Sequence, residues 1–257
     1  MGIVIGGAGG GWMGEHYGWR TAFTVLGIAG IAYALVLKLF LRGPEAAPAA
    51  PAARPGFFPA MRELVRLRGF LTLTAVFSTW SIANWIVYTW LPLYLYERFR
   101  MSLTLAGFSG TFYIQAGSVG GILLGGWLAD RWARRTPRGR ILTQVAGFAA
   151  ASPFLLIVAL TASPVILVCS LVVFGVGRGM YDANAMPVLC QVARADLRAT
   201  GYGIFNCVGC IVGGVVAAAA GYVKAILGLN SAFLAAAVLL GASAIVLLRL
   251  RITEKAL

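Results

Sequence analysis

Residues 131–140 read RWARRTPRGR, and residues 141–162 read ILTQVAGFAAASPFLLIVALTA. The first stretch holds five arginines, and the second holds no charged residue. As a helix rising 1.5 Å per residue, the second stretch reaches roughly 33 Å, enough to cross a hydrocarbon core of about 30 Å. Within lipid every backbone N–H and C=O must be satisfied inside the structure, so only helices and closed barrels span. Barrel strands are about 10 residues long and strictly alternating. This run is longer and does not alternate, so it reads as a helix with a basic loop before it.

Working outward, the pattern repeats. Apolar segments fall at roughly 1–13, 20–41, 69–95, 103–129, 141–162, 164–192, 199–222 and 230–248. The expected fold class is therefore all-α, a polytopic transmembrane helix bundle with eight membrane segments. The first segment is incomplete, because 13 residues of helix reach only about 20 Å. A chain that starts in mid-helix is what a truncated or mis-started reading frame produces. Charged residues make up 11% of the chain, against about 25% in soluble domains.

The formal charge of +13 invites a nucleic-acid reading, but hydrophobic spans flank every basic cluster. Sixteen of the 21 Lys and Arg residues fall in gaps 42–68, 130–140 and 193–198, the tail from Arg249, and at Lys38. Four fall in the alternate gaps or at Arg20, and Arg178 alone lies inside a span. Basic loops face the cytoplasm. The expectation is a multi-pass cell (inner) membrane protein with both termini cytoplasmic and no nucleic-acid partner. No secretory signal peptide is apparent.

The gap at 42–68 opens with Gly43-Pro44 and carries Pro48, Pro51, Pro55 and Pro59, a composition suited to an extended linker. Ala60 to Arg68 then sets Arg62, Arg66 and Arg68 beside Leu64, Val65 and Leu67. Two readings stay open: a short helix on the anionic inner leaflet, or a solvated basic linker. Cys169, Cys190, Cys207 and Cys210 lie in or beside apolar spans and read as small packing residues; Cys207 and Cys210 lack the second pair a zinc site needs. Gly117, Gly121 and Gly125 form a GxxxGxxxG row, and the spacing recurs at 6/10, 7/11, 175/179 and 209/213. Such rows let helix backbones approach closely, either for packing or for sliding.

The sequence from Gly126 to Arg135, GWLADRWARR, resembles the signature loop of the major facilitator superfamily: a Gly, then Asp-Arg, then a closing basic pair. It departs from the pattern at Ala133, where Gly is preferred. Gly10-Gly11-Trp12, Gly18-Trp19-Arg20, Phe23 and Leu41-Arg42-Gly43-Pro44-Glu45 look like that family's fifth and sixth helices and the start of its central loop. Arg198-Ala-Thr-Gly-Tyr-Gly203 resembles the start of the eleventh helix. The resemblance implies helices five to twelve, with the family's first four missing. It divides the chain into 1–41 (last two helices of the N-terminal half), 42–68 (cytoplasmic linker) and 69–257 (C-terminal six-helix half). It implies alternating access about a midplane site, and an inside gate at Gly126, Asp130, Arg131, Arg134 and Arg135. Asp130 would face a helix N-terminus, where the dipole favours a carboxylate.

Charged and polar groups inside spans are expensive and functional by default. Arg178 sits midway along 164–192, with Asp182 one turn later on the same face. Arg178 is expected to contact an anionic substrate group, with Asp182 balancing it; a self-neutralising structural pair and a proton-coupling role for Asp182 are the alternatives. Trp80, Asn84 and Tyr88 are spaced four apart, with Tyr113, Gln115 and Asn206 also near mid-span. Asn84, Tyr88, Tyr113, Gln115 and Asn206 join Arg178 and Asp182 as candidate substrate-binding residues; inter-helix hydrogen bonding is the plain alternative for each. Trp85, Trp90, Tyr94 and Tyr96 read as an interfacial aromatic belt. His16 and Glu15 read as loop residues.

With one histidine, no P-loop and no nucleophile elbow, no enzyme activity, cofactor or metal is expected. The expected function is a secondary active transporter of a small organic solute, an anion slightly favoured. Its expected partners are that solute, a coupling ion (proton or sodium) and membrane lipid. A drug or hydrophobic-compound exporter, and a non-transporting membrane fragment or scaffold, are the competing readings.

Overall fold

The computed structural model describes residues 2–40 and 56–250; most of the Pro/Ala-rich linker and the extreme C-terminal tail lie outside the described residues. Nine α-helices are described: α1 (Gly2–Tyr17), α2 (Trp19–Phe40), α3 (Phe57–Arg66), α4 (Arg68–Phe99), α5 (Leu103–Ala133), α6 (Gly139–Leu160), α7 (Pro164–Val192), α8 (Arg198–Leu227) and α9 (Leu229–Arg249). A short 3-10 turn at Ala195–Leu197 precedes α8. Among the described residues there is no strand. Seven helices are long and apolar enough to cross a membrane: α2, α4 to α7, α8 with its preceding turn, and α9. At 16 residues α1 reaches about 24 Å, short of the membrane core.

The expected segments coincide with α1, α2 and α4 to α9. The helices α4, α5 and α8 run past their apolar segments, to Phe99, Ala133 and Leu227. Intrahelical hydrogen bonds continue past the hydrophobic stretch wherever no breaker intervenes. Breakers then end them: Arg100 at φ 55 closes α4, and Gly18 and Gly228, both at positive φ, turn the chain between α1 and α2 and between α8 and α9. Ser102 caps α5 by accepting from Leu105 N at 3.2 Å.

The helix α7 lies between α5 and α6; α6 continues to α9, and α4 packs on both α8 and α9. The helix α1 packs against α5 and α2. Water exclusion does not drive helix association in lipid, so packing and inter-helix hydrogen bonds decide it. Glycine supplies the packing on α7. A Cβ on Gly117 or Gly121 would strike the Val172 or Val176 carbonyl, and one on Gly175 or Gly179 would strike the Ile114 or Ser118 carbonyl. On the other side of α7, Gly147 and Gly177 meet each other's carbonyls. The GxxxG pair 6/10 faces open space instead.

Polar ties sort the loops into two faces. Arg194 bonds Glu63 at 3.1 Å, Gln191 donates to the Pro137 carbonyl at 3.4 Å, and Arg138 donates to the Leu248 carbonyl. These ties gather the basic loops at one end of the bundle. At the other end Tyr94 donates to the Val158 carbonyl at 3.1 Å, Arg98 donates to the Thr161 carbonyl at 3.3 Å, and Lys224 pairs with Glu97.

Three expectations are corrected. His16 and Glu15 lie in the last turn of α1, not in a loop. Trp90 donates to the Ala217 carbonyl at 3.1 Å and the Trp85 ring fills the space above Gly213, so with the buried Tyr94 they tie helices together rather than form a belt. Cys169 on α7 and Cys207 and Cys210 on α8 are free and exposed, not packed inside. The face of α8 that enters the bundle carries Phe205, Gly209 and Gly213, at a spacing of four.

Candidate functional site: a charged cluster at mid-span

Arg178 reaches the centre of the bundle because α7 can lie against α5. With the Gly175 and Gly179 backbones in contact with α5, the Arg178 guanidinium comes within 2.6 Å of Gln115 Oε1, to which its Nη1 donates. The same Nη1 donates to the Tyr88 hydroxyl, and Tyr88 in turn donates to Gln115 Oε1 at 3.2 Å. The guanidinium also lies over the Tyr88 ring, 5.0 Å from its centroid. Three helices, α4, α5 and α7, thus converge on one cation.

Asp182 stands 3.4 Å from Arg178 Nε, one helical turn along α7. No aligned hydrogen bond joins them, and Arg178 Nε is buried without a hydrogen-bond acceptor among the described residues. The Arg178 side chain is 13% accessible and Asp182 34%. The hydrogen bonds that Arg178 donates among the described residues both leave from Nη1. A guanidinium carries five donors, and here only one nitrogen is fully used. A mostly buried cation with free donors, beside a partly accessible carboxylate, is an arrangement able to accept an anion.

Behind this cluster stands an aromatic stack. Tyr181 lies on Phe148 with ring centroids 4.6 Å apart, and Trp80 tilts against Tyr181 at 5.2 Å. All three rings are buried. The spacing of Trp80 with Asn84 and Tyr88 put it on a polar face, but the structure makes it core. Tyr181 and Phe148 carried no sequence signal beyond being aromatic within a span.

The remaining candidates divide. Asn84 is half-buried on the Tyr88 face of α4, its Oδ1 unpartnered among the described residues. Tyr113 packs against the apolar core and against Phe112, and it makes no contact with Arg178. Asn206 is exposed and donates to its own helix at the Tyr202 carbonyl, 2.9 Å away. Sequence reasoning passed over Asn184, which is fully buried and donates to the Gly125 carbonyl at 3.3 Å, pinning α7 to α5 one turn beyond Met180.

At the basic end, Asp130 Oδ1 accepts from Arg140 Nη2 at 3.0 Å. Arg140 lies in the first turn of α6, so its side chain ties Asp130 to that helix. Its partner is Arg140, which the motif does not contain. Arg131 lies 5.7 Å from the centroid of the Trp127 ring. Arg131, Arg134 and Arg135 are exposed and make no ion pair among the described residues. Gly126 faces open space.

These features define a multi-pass α-helical membrane protein with a charged cluster inside its bundle. Residues 1–218 match the Major Facilitator Superfamily, and the chain belongs to that family. It is 33% identical over 132 residues to an MFS-type efflux pump of Mycolicibacterium smegmatis, a match covering 51% of this chain and 30% of the pump. It is 25% identical over 268 residues to the probable galactarate/D-glucarate transporter GudP of Bacillus subtilis, covering 91% of this chain and 56% of GudP. Its fold is similar to the crystal structure of a bacterial homolog to the human lysosomal transporter Spinster, inward-facing and unoccupied. That match has a TM-score of 0.60 at 20% identity and covers 95% of this chain and 61% of the other. The chain therefore spans less than two thirds of each of these relatives.

Proposed function

We propose that this chain forms part of a secondary active transporter of small organic anions that works by alternating access. The observation that carries the reading is Arg178, buried at mid-span with unused donors and framed by Tyr88, Gln115 and Asp182. Family membership and the likeness to GudP, whose named substrates are sugar diacids, support it. An arriving carboxylate takes the free edge of the guanidinium and displaces Asp182, which then stands free toward solvent; Asp182 rebinds Arg178 when the anion leaves. The coupling ion is a proton or sodium, and Asp182 is the candidate carrier. Asn84 is retained as a further substrate-binding residue; Tyr113, packed into the core, and Asn206, bonded to its own helix, take no part in the Arg178 cluster. The loop of Gly126, Asp130, Arg131, Arg134 and Arg135 is read as the inside gate, with Arg140 added as the partner of Asp130.

Residues 1–41 correspond in this reading to the end of an N-terminal half, 42–68 to the cytoplasmic linker and 69–257 to the C-terminal half. The basic end faces the cytoplasm across an inner membrane, with both termini there. The test is uptake of labelled galactarate by cells expressing the gene with whatever coding sequence precedes Met1. Arg178→Ala should abolish uptake and Arg178→Lys should reduce it severely, since an ammonium cannot reproduce the fork. Unchanged uptake and affinity in Arg178→Ala would refute the anion reading. The likeness to the efflux pump favours a second reading, an exporter; lower dye accumulation in expressing cells would decide for it.

A further inference from the structure

The helix α3 has three sides, and only one of them is covered. Ala60 and Leu64 are fully buried against the bundle, where α3 touches α4 and α8. Phe57, Phe58 and Val65 are 58%, 73% and 47% accessible. Arg62 and Arg66 lie one turn apart and, with Phe58, line a single concavity. Glu63, the one acid of this helix, is engaged by Arg194 at 3.1 Å, so it does not neutralise them. Among the described residues neither Arg62 nor Arg66 has an ion-pair partner.

The height of this helix is set by chain continuity. Only Leu67, in extended conformation, separates α3 from α4, and α4 enters the membrane. The one-residue link keeps the C-terminal turn of α3, with Arg66, beside the end of α4, and a helix lying along the surface from there carries its rings at the level where acyl chains meet headgroups. An apolar side next to a cationic side at that level matches an anionic phospholipid, with rings among the upper methylenes and arginines on phosphate. We propose that α3 is an interfacial helix that binds anionic phospholipid, with Arg62 and Arg66 sharing the headgroup phosphate and Phe57 and Phe58 inserted beside it. Lipid bound there bears on a helix that is packed against two spans, so anionic lipid content couples to the basic end of the bundle.

The experiment places a tryptophan in α3 as Phe58→Trp and reconstitutes the protein in symmetric bilayers of phosphatidylcholine and phosphatidylglycerol, which frees the result from the sidedness assumed above. Emission is read as the difference from the parent protein. Brominated phosphatidylglycerol should quench the added indole at least twofold more than brominated phosphatidylcholine at equal content. The Arg62→Gln/Arg66→Gln variant, whose changes are exposed and leave Ala60 and Leu64 packed, should equalise the two lipids while quenching by lipid persists. Equal quenching in the parent background would overturn the headgroup preference. Quenching by aqueous iodide alone would overturn membrane contact and favour a solvated or protein-bound helix. A preference that survives the double substitution would overturn the role of the two arginines.

Discussion

Along the α5–α7 seam, Gly117, Gly121, Gly175 and Gly179 face backbone carbonyls of the opposite helix. Along the α4–α8 seam, Gly209 faces Phe77 and Ser81, and Gly213 faces the Trp85 ring. Both seams use glycines spaced by four. In the first, two backbones touch, and nothing at the contact can rotate out of the way. In the second, glycine is a socket for a side chain that has rotamers of its own. The first seam also carries the charged cluster, since Gln115 and Arg178 lie on its two helices. The rigid seam holds Arg178 against Gln115, and the compliant one reaches the site only through Tyr88 of α4.

The largest effect should come from Gly121→Val, whose side chain would enter the Val176 carbonyl. A loss of about 3 kcal/mol or more, or no folded protein, is expected in thermal unfolding of the purified protein in detergent. No truncation of a neighbouring side chain should rescue it, and a near-neutral result would break the distinction between the seams.

Gly213→Ala should cost about 1–2 kcal/mol, because the Trp85 ring is 40% accessible and has room to swing aside. Here rescue is expected: combined with Trp85→Leu, the alanine should become nearly neutral, and a double-mutant cycle reads the coupling. Additive losses would mean that the backbone, not the ring, resists the methyl.

Trp90→Phe removes the bond to the Ala217 carbonyl and should cost about 0.6 kcal/mol, the average for inter-helix hydrogen bonds in membranes. Its unfolding midpoint, measured beside that of Gly213→Ala, shows whether side-chain contacts share the load along α4–α8. The smallest effect should be Gly120→Ala. It lies on α5 between two seam glycines but faces open space, so the change should stay within about 0.5 kcal/mol. A large loss there would show that α5 dislikes any substitution, whichever way it faces.

Much of the fold was legible because lipid imposes simple demands. Uncharged runs of the right length became helices at the expected places, and the basic gaps came to one end. Part of the site was legible as well: Arg178 and Asp182 meet because residues four apart share a helix face. Tyr113 and Gln115 lie two residues apart, roughly 200° around a helix, so at most one of them could turn toward Arg178. Gln115 does, while Tyr113 packs into the core. Asn206 follows Phe205, a residue of the α8 packing face, by one position, about 100° around the helix, and it stays exposed.

The sequence by itself determined where the apolar segments lie, the shared side of the arginine loops, and which residues are neighbours along one helix. Those follow from hydrocarbon thickness, charge transfer energy and 3.6-residue periodicity, all of them local. Tertiary structure alone decided how far each helix is rotated about its own axis. That rotation chose Tyr88 and Gln115 as the partners of Arg178, gave Asp130 to Arg140, and made one glycine row a backbone contact and the other a socket for rings. In lipid every outward-facing apolar side chain is equally at home, so rotation is fixed only where two helices touch, and that contact is not written in either helix separately.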